Sequence, residues 1–132
     1  MPKQFTLSKN ERLKSRKAIE HLFKEGQRFS VSPFRVIYEY SSKNGLQFGV
    51  GVSTKNFKKA VDRNRIKRLS REAYRLQKID LAEVLKNRET GLNIFLIYTD
   101  KELPVYEQVF KKVNVILNKL QKLINENNTP DT

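Results

Sequence analysis

Apolar and polar positions run along this chain in two distinct periods. Between Ser15 and Gly26 the spacing is helical: Ile19, Leu22 and Phe23 share a face, Ser15 can cap the start, and Gly26 stands just past the end. Residues 34–40 switch to a period of two, with Phe34, Val36, Tyr38 and Tyr40 on one side of a predicted strand. Lys43-Asn44-Gly45 is a turn signal, so residues 46–53 read as the returning strand of a hairpin. Gly49 and Gly51 within it point to a bulge or a close backbone approach. Residues 92–98 are almost continuously apolar, which predicts a central strand. Pro104 suits the first turn of a last helix, whose stripe of Tyr106, Phe110, Val113, Leu117, Leu120 and Ile124 predicts a core face.

Between the second and third strands lies a segment of different character. From Ile66, at 100° per residue, Leu69, Ala73 and Leu76 cluster on one side of a helix. Asn64, Lys67, Arg68, Arg71, Arg75 and Lys78 occupy the other side, with Arg65 and Glu72 at a border where they can pair. Residues 79–91 read as an irregular polar connection, and Asn125 to Thr132 as a disordered tail after a single domain over residues 1–124. The predicted order is α-β-β-α-β-α, with room for a further short strand around Phe29 to Ser32. Such an order suits an α+β fold, an α/β sandwich with helices packed on a mixed sheet of about four strands.

Charge turns this helix into the centre of the functional reading. The 132 residues carry a net charge of +13, and the pI is about 10.1. Self-repulsion of that size calls for a polyanionic partner. Lys55 to Arg75 reads as a one-sided basic helix holding nine Lys and Arg against Asp62 and Glu72, so it supplies +7 of the total. An ordinary solvated helix face would alternate acids with bases. Arginine forks suit phosphate oxygens and stack on bases, and Asn64 can read a base edge or a sugar hydroxyl. A membrane-surface helix would want bulky aromatics where this one has Ala73. The expected partner is RNA.

Catalytic chemistry of the chain's own is not expected. There is no cysteine, His21 is the single histidine and reads as a surface residue, and the acids Asp62, Glu72, Asp80, Glu83 and Asp100 are dispersed. No Walker-type phosphate loop occurs, and no metal site is expected in the protein. No apolar segment reaches the roughly 20 residues of a membrane span, and Met1 is followed by a polar run, so a cytoplasmic protein without a membrane or small-molecule partner is expected.

The run from Ala60 to Arg75, in which Arg63-Asn64-Arg65 is followed by Ile66-Lys67-Arg68, resembles the hallmark motif of the protein subunit of bacterial ribonuclease P. Arg12-Leu13-Lys14 leading to Leu22-Phe23-Lys24-Glu25-Gly26 is similar to that family's N-terminal helix, and Gly49 to Lys55 to its strand and basic turn. The resemblance implies assembly with a large catalytic RNA that carries the active site and needs magnesium. It implies removal of 5′ leaders from precursor tRNA, an endoribonuclease activity of the ribonucleoprotein to which this chain would be accessory. It also implies a left-handed β-α-β crossover, against the general right-handed rule. Carried over, Lys55, Arg63, Asn64, Arg65, Lys67, Arg68, Arg71 and Arg75 would meet the catalytic RNA. Ile19, Phe23 and Tyr38 would line a cleft for the leader, where aromatic rings stack on unpaired bases. The competing reading is a ribosomal or ribosome-assembly protein that only binds structured RNA. A DNA-reading helix is disfavoured because a strand, not a helix, precedes it.

Overall fold

The structure is a computed structural model that describes residues 11–41 and 45–127. Its elements run α1 (Arg16–Glu25), β1 (Gln27–Val31), β2 (Phe34–Ser41), β3 (Gly45–Val52), α2 (Ala60–Gln77), α3 (Ile79–Asn87), β4 (Gly91–Tyr98) and α4 (Tyr106–Asn127). Ser15 caps α1 as expected, its Oγ accepting from the Ala18 N–H at 3.2 Å, and the Gly26 N–H closes the helix on the Leu22 carbonyl. The α+β class and the mixed four-stranded sheet stand, while two details of the expected order change.

The short strand near Phe29 is real and forms β1. Residues 79–87, expected to be irregular, form α3, because Leu81 and Leu85 reach the core one turn apart. The hairpin of residues 34–40 and 46–53 does not form. The sheet order is β1-β2-β4-β3, so β4 is inserted between the two strands, antiparallel to β2 and parallel to β3. Ordinary loop reasoning pairs neighbours in sequence, but the continuously apolar β4 gains more by being covered on both edges. Of the turn signal, Lys43 and Asn44 lie outside the described residues; Gly45 has φ +106°, a region that glycine tolerates. At the other end, α4 runs on through Asn127, three residues into the expected tail; residues 128–132 lie outside the described residues.

Helices cover both faces of the sheet. On one face Val36, Tyr38, Phe48, Ile94 and Leu96 pack with Ile66, Ala73 and Tyr74 of α2 and with Val113, Ile116 and Leu120 of α4. On the other, α1 lays Leu22 against Ile37, with Leu13, Ile19, Phe95 and Ile97 around them. Before α1, the chain runs along the outer edge of β3, where Arg12 bridges to Phe48 and the Leu13 N–H donates to the Phe48 carbonyl at 2.9 Å.

Candidate nucleic-acid interface

The basic segment is not one helix. Residues 53–59 form a turn-rich lead-in, and α2 starts at Ala60, so Lys55, Lys58 and Lys59 stand before the helix. The lead-in is pinned by the Phe57 N–H on the Ser53 carbonyl and by Asn56 donating to the Thr99 and Asp100 carbonyls at the end of β4. Lys55 is exposed there, beside β3 and before the basic face.

In α2 the buried positions are Ile66, Ser70, Ala73 and Tyr74. Leu69 is half-buried and Leu76 is 39% exposed, so the apolar face lies further round than the expected stripe of Ile66, Leu69, Ala73 and Leu76. The shift has a cause. Ser70 hides its hydroxyl on the Ile66 carbonyl at 2.8 Å, and the Tyr74 ring is large enough to claim the core position beside it. Polarity labels alone assign both residues to the wrong side.

The basic residues then fall into different roles. Arg65, Arg68 and Arg71 are exposed, with the neutral Asn64 exposed and Lys67 half-exposed beside them, and together they form a largely cationic ridge. Arg63 is half-buried, and its Nη1 donates to the Phe57 and Lys58 carbonyls, both at 2.8 Å. It ties the lead-in to the first turn of α2, which has no side-chain cap from Lys59. Arg75, not Arg65, pairs with Glu72, at 2.7 Å and a spacing of three residues. Lys78 leaves the basic face altogether: it is 4% exposed and holds Glu11 at 2.6 Å at the joint between α2 and α3.

The second candidate surface is on the opposite side of the sheet. Phe23 is 37% exposed and meets Phe95 edge-on, their centroids 5.2 Å apart. Ile19 lies half-buried among Leu13, Leu22 and Ile37. Tyr38 does not join them. It is 4% exposed on the α2 and α4 side, donates to Gln27 Oε1 at 3.0 Å and packs edge-on against Phe29. Side chains alternate along a strand, so Arg35, Ile37 and Glu39 are the β2 residues that face α1. The aromatic neighbour of Phe23 is Phe95, which reasoning from the sequence placed only in a central strand. Gly49 and Gly51 were its signal: a Cβ added at Gly49 would meet the Phe95 ring at 2.8 Å, and one at Gly51 at 3.1 Å. The two glycines thus make room for the Phe95 ring to lie over β3.

His21 is exposed on α1 and holds Glu39 of β2 at 3.0 Å, which raises its pKa through that hydrogen bond and the carboxylate's charge. Arg28 donates to the Phe23 carbonyl at the end of α1. Among the described residues no three of His, Asp and Glu gather where they could hold a metal ion, and no helix is long and apolar enough to cross a membrane.

With this geometry in place, the comparisons with known proteins fall on one family. The family described as Ribonuclease P matches residues 7–121. A "Ribonuclease P protein component" of Porphyromonas gingivalis is 43% identical over 111 residues, covering 82% of this chain and 81% of that protein. One of Nitrosococcus oceani is 40% identical over 73 residues, covering 55% of this chain and 61% of the relative. Among solved structures, the RNase P protein of Thermotoga maritima superposes with a TM-score of 0.64 at 26% identity, covering 83% of this chain and 96% of that one. The RNase P protein of Staphylococcus aureus superposes equally well, TM-score 0.64, at 22% identity over 83% of this chain and 94% of that one.

Proposed function

Because this chain belongs to the ribonuclease P protein family, we propose that it binds the catalytic RNA of that endoribonuclease and helps it remove 5′ leaders from precursor tRNA. The observation that carries this reading is the separation of two unlike surfaces by one sheet. The exposed ridge of Asn64, Arg65, Lys67, Arg68 and Arg71 suits a phosphate backbone. The exposed Phe23, edge-on to Phe95 where that ring lies over the glycines of β3, suits unpaired bases. A protein that must hold structured RNA and a single-stranded leader at once needs both.

On this reading the catalytic site lies in the RNA. The acids in this chain are dispersed, and its one histidine is engaged with Glu39 on the α1 side. On this reading the magnesium of the holoenzyme serves the catalytic RNA. Lys55, exposed in the lead-in to α2, is proposed to add a further contact to the catalytic RNA. Arg75 is a weaker candidate for RNA contact than the ridge, because Glu72 already neutralises it. A cytoplasmic location follows from the partners proposed. The ribosomal alternative draws no support from the family match.

Reconstitution tests the reading. Added to a cognate catalytic RNA, the protein is expected to restore leader cleavage at magnesium too low for the RNA alone. Tight RNA binding without restored cleavage would instead support an RNA-binding protein with no nuclease role.

A further inference from the structure

We propose that Arg12 and Arg71 form one phosphate clamp at the outer edge of β3, carrying the RNA face of α2 across onto the N-terminal strap; this rests on the RNA-binding reading above. The strap is fastened on both sides of Arg12. Glu11 holds the buried Lys78 at 2.6 Å, and Leu13, itself buried, donates its N–H to Phe48 at 2.9 Å. Between these anchors the Arg12 backbone bridges to Phe48, while its side chain stays exposed. Phe48, the bridge partner of Arg12, stacks on Tyr74 of α2, which follows Arg71 by three residues, under one helical turn. Arg71 responds to the neighbour: its pKa is lowered, by partial burial first and by the Arg12 charge second.

Like charges on Arg12 and Arg71 repel each other, and among the described residues no carboxylate forms a salt bridge with either. Glu11 is engaged with Lys78 and Glu72 with Arg75. Residues 1–10 contain no Asp or Glu. Arg12 and Arg71 have no salt bridge among the described residues. With Lys67 and Arg68 on the same flank and crest, the local field favours a polyanion over a single carboxylate. A backbone phosphate between two planar forks accepts from both and removes the repulsion. The strap then continues through Lys14 to α1, so the clamp leads from the cationic ridge toward the aromatic surface.

The test measures binding of the full-length protein to a cognate catalytic RNA across a salt series, for wild type, Arg12→Gln, Arg71→Gln and the double variant. Each single substitution is expected to flatten the log–log salt dependence by about 0.7–0.9, one phosphate contact, and the double variant to flatten it no further. An unchanged slope in Arg12→Gln, or a double variant that loses twice as much as either single, overturns the shared clamp. Arg12→Lys, which keeps the charge on the strap, is expected to keep the slope and weaken the affinity by losing the fork. If Arg12→Gln proves unfolded and Arg12→Lys binds as wild type does, the clamp is rejected. Wild-type protein that fails to bind the RNA overturns the underlying reading; steep wild-type binding matched by all variants overturns the clamp alone.

Discussion

The Tyr74 ring lies flat on that of Phe48, centroids 3.9 Å apart and planes 7° apart, and this stack fixes α2 to β3. The Tyr74 hydroxyl is buried and finds no hydrogen-bond partner among the described residues. A buried hydroxyl without a partner costs roughly 1–3 kcal/mol. Tyr74→Phe is therefore expected to hold or raise stability in urea denaturation, while Tyr74→Ala should lose about 3–5 kcal/mol, as large-to-small core changes do. A clear loss in the phenylalanine variant would mean that the hydroxyl is bonded after all.

Gly49 carries a packing constraint, since any Cβ there runs into the Phe95 ring at 2.8 Å. Gly49→Ala should cost about 1–3 kcal/mol by overpacking. Adding Phe95→Leu should recover part of that loss, with the coupling read from a double-mutant cycle. Strictly additive losses would show that the two positions do not meet.

Arg63 should behave unlike its motif partners Arg65 and Arg68. Its guanidinium bonds two backbone carbonyls, so Arg63→Ala is expected to lose about 1–3 kcal/mol of thermal stability. Arg65→Ala and Arg68→Ala should leave stability within about 0.5 kcal/mol and flatten the salt dependence of RNA binding by about 0.7–0.9 per lost phosphate contact. The assignment of roles fails if Arg63 changes only binding and the other two change only folding.

Phe23→Ala should reduce the preference for precursor tRNA over mature tRNA in binding to the reconstituted holoenzyme, by about 1–3 kcal/mol if one base stacks there. Tyr38→Phe should leave that preference intact, because Tyr38 faces the other side of the sheet. An effect of the Tyr38 change equal to that at Phe23 would contradict the geometry.

The His21–Glu39 pair links α1 to β2 and is pH-dependent. Because the folded pKa of His21 is raised, the pair's stabilisation is fully present below the unfolded value, near 6.5, and is lost as pH rises through the folded value. As the single histidine, His21 gives a clean NMR titration. Its midpoint should fall in Glu39→Gln, and an unmoved midpoint would dissolve the pair.

Much of this was legible in the sequence, and the reasons are physical. Helical and two-residue periods report which residues can share a face, so α1, β2, β3, β4 and α4 could be read from local order. The cationic character of α2 survives any packing, because charges as dense as Arg63 to Arg75 cannot be buried together. Tertiary structure decided which strands are neighbours, since β4 enters between β2 and β3 from a distance that no local pattern records. With that pairing came the face of each strand: alternation allowed Tyr38 on either side, and the core under α4 took it, leaving Phe95 to Phe23. The same step divided the basic residues, giving Arg63 to a backbone bond, Arg75 to Glu72 and Lys78 to Glu11. The sequence alone determined that this chain carries a one-sided, arginine-rich helix; only the fold could decide which of its basic residues are engaged within the protein, because that depends on what each finds within reach.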